Sequence, residues 1–334
     1  MPEPPFPPPA PPLRPGLRPR LAGLWALVRW LPVLSWLGGS VAIGTGAALG
    51  WSRLSASGTA AGHPRLPALL DLLLIVLAGV LLQGLLAHSL NDREDWRTGT
   101  DAASPGLLSG GTRVIPRGQL SSTHLTRTAL AAALAALAIA IRFSLRVGPG
   151  ALLLWLIAAW AGAAYSLPPL RLAYRPLAGE WLCAYPAAAA GAVGTCFLLT
   201  GTLPPAVFLA GAIHGLFCLA WLMLHHLADI PGDLAAHPPK LTTPAWLFRR
   251  SPGLARLPAP FYLTLAAVSS AAATRLPGAG PAFHLPVALA LAGLPAAASP
   301  RLGDVADLTR RELLLILLSL AEAASLAAGL NRYR

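Results

Sequence analysis

The chain has 334 residues, of which 55% are hydrophobic and only 11% charged, and its mean hydropathy is +0.61. A soluble protein of this length needs far more charge to cover its surface, so the composition excludes a soluble globular fold and predicts a polytopic membrane protein. The net charge of +12, from 25 basic against 13 acidic residues, is accounted for by membrane topology, and no nucleic-acid partner is expected.

The first 20 residues hold ten prolines and predict a flexible, partly polyproline cytoplasmic tail with no core of its own. They lack the basic-then-apolar order of a secretory signal. Residues 21–334 are expected to form one transmembrane domain. Nine apolar runs follow, at about 24–50, 67–90, 125–145, 150–167, 177–200, 205–228, 258–274, 282–299 and 312–330. Each approaches the ~20 residues that carry a helix across lipid. None alternates as a barrel strand does, so an all-α membrane bundle is the expected fold.

Lys and Arg fix an orientation. With the N-terminus cytoplasmic, the inner segments carry 17 basic residues and the outer segments 7, with Arg29 inside the first run. The positive-inside rule favours this arrangement. The bias toward Arg, Ala, Pro and Gly is that of a GC-rich genome, and the bacterial cytoplasmic membrane is the expected location. Cys183, Cys196 and Cys218 fall inside apolar runs without a CxxC pair, which predicts buried free thiols and no disulfide framework.

Two acidic clusters close the second and sixth runs, both on the cytoplasmic face: Asn91-Asp92-Arg93-Glu94-Asp95 with Asp101, and Asp229-Ile230-Pro231-Gly232-Asp233. Carboxylates packed this tightly repel one another unless a cation holds them, and a divalent metal does so commonly. Asp92 and Asp95, with His88 a turn earlier, share a helix face flanked by Asn91. Asp229 and Asp233 share another, with His225 a turn earlier. Magnesium takes few protein carboxylates and fills its remaining positions with water and phosphate oxygens. Asp92, Asp95, Asp101, Asp229 and Asp233 are therefore candidate metal ligands for Mg²⁺ and a diphosphate. The plainer alternative is solvated acids paired with neighbouring arginines.

Lys240, the chain's only lysine, follows the second cluster by seven residues and suits a compact charge on a diphosphate. Arg97, Arg113 and Arg171 are further candidates for phosphate oxygens. Ser109-Gly110-Gly111-Thr112 has the composition of a backbone nest for an anion. Tyr165 ends the fourth run on the same face, where its ring either steadies a carbocation or serves as an ordinary interfacial tyrosine. Glu322 falls inside the last run with no partner evident, and an ionisable group there is a functional candidate by default.

Together these residues resemble the UbiA superfamily of intramembrane prenyltransferases, from about residue 25 to the end. The spacing Asn91-Asp92-x-x-Asp95-x-x-x-Gly99-x-Asp101 is most similar to the branch that prenylates 1,4-dihydroxy-2-naphthoate on the way to menaquinone. Gly110-Gly111-Thr112, Tyr165 to Arg175, and Gly179-Glu180 add to the likeness. The resemblance implies nine helices around a cavity open to lipid and Mg²⁺ as cofactor. It also implies transfer of a prenyl group from an isoprenoid diphosphate to an aromatic acceptor. The chain departs from that pattern at His225, His226 and Ala228, where the branch carries two Asn and an Arg, and at His237-Pro238-Pro239-Lys240, where it carries Gly-Lys. These positions bear on the acceptor side and the second metal; His225 and His226 are candidate acceptor-binding groups or a proton acceptor, or else helix-packing residues. Rival readings keep the donor with another acceptor (4-hydroxybenzoate, homogentisate, a tetrapyrrole or a lipid phosphate), or make the chain an ion-coupled transporter or a non-catalytic relative.

Overall fold

The structure, a computed structural model, describes residues 16–56, 68–102, 104 and 108–332. Most of the expected tail, residues 1–15, lies outside the described residues. Helix α1, Leu17–Val28, already includes the last residues assigned to that tail. The first crossing helix is α2, Trp30–Ala56, six residues later than its apolar run. The chain breaks at Arg29, whose backbone adopts the left-handed conformation (φ 49°) and separates α1 from α2.

The remaining helices are α3 (Leu69–Thr98), α4 (Ser122–Val147), α5 (Gly150–Ser166), α6 (Glu180–Thr200), α7 (Pro205–Ala235), the short α8 (Thr243–Phe248), α9 (Pro258–Ala273), α10 (Gly280–Ala298) and α11 (Val305–Asn331). No strand occurs among the described residues. A helix coincides with each of the nine apolar runs. Seven are long and apolar enough to cross a membrane, and α5 is a shorter apolar helix. At 16 residues, α9 is shorter still.

Helix α7 is the centre of the bundle, 78% of its apolar window being buried. It is flanked by α2, α6, α9 and α11, while α3, α4 and α5 complete the ring beside α6. Small residues permit the closest approaches. Gly44 and Gly211 face the backbone of α6, and Gly46 that of α11, so a side chain at any of the three would separate the helices. All three cysteines are free and buried, as expected.

Three helices contain widened π turns: Leu34–Gly38 in α2, Val80–Ala87 in α3 and Glu180–Ala184 in α6. All three turn Trp36, Gln83 or Cys183 toward one internal cavity. Such turns concentrate at functional sites because they re-aim side chains without ending the helix.

Candidate functional site

The cavity has a volume of about 590 Å³. Its walls are mostly apolar, with Trp36, Leu82, Phe143, Trp155, Leu198 and Ile316 among them. Asn91, Asp95 and Asp229 line it from the last turns of two helices, and Asp101, Lys240 and Arg29 from the turns and breaks beside them.

Local chain geometry places the acids there. Helix α3 stops at Gly99, a left-handed glycine (φ 80°) whose N–H donates to the Trp96 carbonyl, a common helix C-terminus. The following turn, Thr100–Ala102, then folds Asp101 back over the mouth. This is the physical content of the Gly-x-Asp spacing. Helix α7 runs past its apolar stretch to Ala235 with Pro231 inside it, so Asp229 and Asp233 keep helical spacing despite the proline. The next loop turns back: His237 N–H donates to the Thr98 carbonyl (2.9 Å) and Lys240 N–H to the Asp233 carbonyl (2.8 Å).

Lys240 Nζ lies 2.8 and 3.0 Å from the two Asp95 oxygens, and Asn91 donates to the same carboxylate at 2.9 Å. Burial alone would lower the Lys240 ammonium, but Asp95 and then Asp233 hold it well above the ordinary lysine value. Arg29 pairs with Asp92. The other Asp92 oxygen accepts from the Thr112 hydroxyl and from the Thr112 N–H at 3.2 Å. The end of the glycine-rich loop thus engages the chain's own Asp92, through Thr112 alone. Asp229 accepts from Ser104 at 2.6 Å and Asp233 from Thr242 at 2.8 Å. Burial, then Asp95 and Asp92, push the Asp101 carboxyl well above the usual range.

Shared helix faces do not put every acid in the cavity. Asp95, Asp101 and Asp229 line it, whereas Asp92 is turned to Arg29 and the loop, and Asp233 to Thr242. Among the described residues no three His, Cys, Asp or Glu side chains converge into one chelating group. The donor set still fits hard oxygen-seeking cations, because carboxylates from two helices meet at one mouth.

Tyr165 and both histidines line the cavity. The Tyr165 hydroxyl lies 3.3 Å from His226 Nε2, and His226 Nδ1 is buried without a hydrogen-bond partner. His225 Nδ1 lies 2.9 Å from Glu312 on α11, and its other nitrogen 3.5 Å from Asp229. Three arginines lie elsewhere. Arg97 and Arg171 both pair with Glu94, at 3.0 and 3.2 Å, away from the cavity lining. Arg113 donates to the Ser104 carbonyl at 3.1 Å.

Sequence reasoning passed over Arg29, Ser104, Thr242 and Glu312. Only Arg29 left a signal, as a lone cation in an apolar run. Glu322 has the partner that its sequence context did not reveal: its carboxylate lies 2.8 Å from His214 Nδ1, both residues wholly buried.

The profile of the UbiA prenyltransferase family matches residues 51–316. Among solved structures, a UbiA homolog from Archaeoglobus fulgidus bound to GPP and Mg²⁺ superposes with a TM-score of 0.60 at 16% identity, covering 91% of this chain and 99% of that one. The same archaeal homolog bound to DMAPP and Mg²⁺ gives 0.58 at 16% identity, over 90% and 99%. Bound to Cd²⁺ it gives 0.57 at 13% identity, over 90% and 99%. No match was found among curated proteins.

Proposed function

The chain belongs to the UbiA prenyltransferase family, and from that premise we propose that it transfers a prenyl group from an isoprenoid diphosphate to an aromatic acceptor within the membrane. The observation that carries the proposal is the polarity of one cavity. Asp95, Asp101, Asp229 and Lys240 stand at its mouth, and apolar and aromatic side chains form its body. A diphosphate with a hydrocarbon tail has that same division. The archaeal homologs bound to GPP or DMAPP with Mg²⁺ support the donor class.

Asp95, Asp101 and Asp229, which line the mouth, would hold magnesium, with Asp92 and Asp233 held beside them by Arg29 and Thr242; the metal would neutralise the charge that grows on the departing diphosphate. Arg29 and Lys240, which line the same mouth and each pair with an aspartate, would add positive charge for phosphate oxygens. Arg113, outside the lining and bonded to the Ser104 carbonyl, would add only longer-range positive charge. The aromatic walls exclude water, so the allylic cation left by C–O cleavage meets the acceptor rather than hydroxide. Tyr165 and Trp221 offer electron-rich faces to that cation.

His225, His226 and Glu312 form the acceptor wall. An aromatic carbon attacks the cation, and the ring loses a proton or a carboxyl group to restore aromaticity. The spacing of the first motif favours a naphthoate or related quinone precursor, as in menaquinone synthesis. The bias of basic residues supports a cytoplasmic mouth in a bacterial inner membrane, and nine crossing helices with lipid reaching the cavity from the side belong to the same proposal.

A transporter is disfavoured, because its carboxylates would stand at mid-membrane in broken helices. Here they stand in the last turns of α3 and α7 and in the turn after α3. The test is incubation of purified protein with labelled prenyl diphosphates, Mg²⁺ and a panel of aromatic acceptors, read by product mass. Prenylated product is expected. Solute movement in liposomes without diphosphate, and no product from any pair, would contradict the proposal.

A further inference from the structure

The cavity does not stop near the acids. Along α3 its lining runs from Asp95 to Ile75, twenty residues, or about 30 Å of helix. Along α6 it runs from Cys183 to Leu198, and on α5 it reaches Leu154 and Ala151. Ile75, Phe143, Leu154 and Leu198 all lie toward the helix ends opposite the acids. They form the far floor.

A charged assembly sits immediately beyond that floor. Asp71 lies one turn past Ile75 on the same face of α3, and Arg146 three residues past Phe143 on the same face of α4. Arg146 pairs with Asp71, and its other amino group donates to the Leu198 carbonyl on α6 at 2.6 Å. Its guanidinium stands 5.1 Å from the centre of the Phe143 ring. Arg142 adds a second cation 3.5 Å from Asp71. Asp71 is buried although it lies in the first turn of α3, at the head of a long apolar stretch. Through the ion pair with Asp71 and the hydrogen bond to Leu198, the Arg146 guanidinium therefore ties α3, α4 and α6 together next to that floor.

We propose that the Asp71–Arg146 pair, seated on Phe143 and the Leu198 carbonyl, is the end-stop of the cavity and fixes the longest isoprenoid tail it admits in extended form. This rests on the reading of the cavity as the seat of an isoprenoid diphosphate. A hydrocarbon terminus offers neither charge a replacement partner, so it cannot part the pair or pass through it. It meets Phe143 and stops. Tails shorter than the channel leave the apolar floor unfilled, and each further isoprene that fits buries more hydrocarbon. Affinity therefore rises with tail length up to the stop and no further.

The test uses unreactive thiolo-diphosphate analogues of one to eight isoprene units with Mg²⁺, titrated into the full chain in lipid nanodiscs. Binding is read by quenching of tryptophan fluorescence, since Trp36, Trp155 and Trp221 line the cavity. In the unsubstituted protein, affinity should climb with length and then break. Phe143→Ala, which deepens the floor and leaves the ion pair in place, should move the break one unit longer, with at least a fivefold gain for that analogue and little change for the shortest. Ile75→Phe should move it one unit shorter. Arg146→Met, if it accumulates folded, should blur the break altogether. An identical length profile in Phe143→Ala, Ile75→Phe and the parent overturns the stop, because the tail then leaves sideways into lipid. Failure of every analogue to bind the parent overturns the diphosphate reading itself, and the stop with it.

Discussion

Lys240, the chain's single lysine, holds both oxygens of Asp95 across 145 residues of sequence, at 2.8 and 3.0 Å. Both side chains are more than nine-tenths buried. A buried ammonium and carboxylate each lose several kcal/mol of hydration, which their mutual contact must offset. Lys240→Met is predicted to lower the unfolding free energy by about 3 kcal/mol, because the buried Asp95 loses its cationic partner and keeps only Asn91. Adding Asp95→Asn should recover most of that loss and none of the activity. A double-mutant cycle by thermal unfolding, paired with turnover of the same preparations, separates the two effects.

Asp101 shows the opposite balance. Its carboxyl is pushed well above the usual range, by burial and then by Asp95 and Asp92. A carboxyl whose folded pKa is raised weakens the fold once pH exceeds the unfolded value of about 3.9. The penalty grows until pH passes the folded value and is constant above it. Asp101→Asn should therefore raise the melting temperature of metal-free protein at pH 7, and the gain should vanish as pH falls toward 4. The same substitution should weaken Mg²⁺-dependent diphosphate binding at least tenfold, measured by calorimetry.

Gly111 adopts φ 67° and faces the Asp101 carboxylate, which a Cβ would strike. Gly111→Ala combines left-handed strain of about 1 kcal/mol with displacement of Asp101. Turnover should fall more than tenfold while the chain still accumulates in membranes. Gly99→Ala, at a position with open space around it, should carry only the backbone strain and serve as the comparison.

His214 and Glu322 form a wholly buried pair between α7 and α11, and His214 Nε2 also approaches the Trp36 carbonyl at 3.4 Å. Glu322→Leu should destabilise the bundle by about 1–3 kcal/mol, by leaving the imidazole without its partner. Neither residue lines the cavity, so activity per folded molecule should persist. Thermal unfolding followed by activity of the surviving fraction checks both statements.

The helical class, the nine apolar intervals and the acids at two helix ends were legible in the sequence, because each is a local pattern of burial or spacing. The break at Arg29 was not. An apolar run does not announce one left-handed residue, so α1 merged with the first span. The pairing of Arg97 and Arg171 with Glu94 was hidden for another reason. Arg97 is a helical turn from its partner, but Arg171 reaches it across 77 residues, and tertiary approach has no sequence period. Glu312 and Thr242 escaped notice likewise, as partners of His225 and Asp233 supplied by other elements. The direction of Asp92, toward Arg29 and Thr112 rather than into the cavity, depends on a glycine loop whose conformation composition only suggested.

The account turns on α3 and α7 supplying one shared cation site. Manganese substituted for magnesium and observed by pulsed electron spin resonance tests this directly, with inorganic diphosphate added to the full chain in nanodiscs. Two ions with a dipolar coupling that corresponds to roughly 4 Å are predicted, and Asp95→Asn or Asp229→Asn should each abolish the coupling. A single uncoupled ion, or a signal that neither substitution alters, would contradict it.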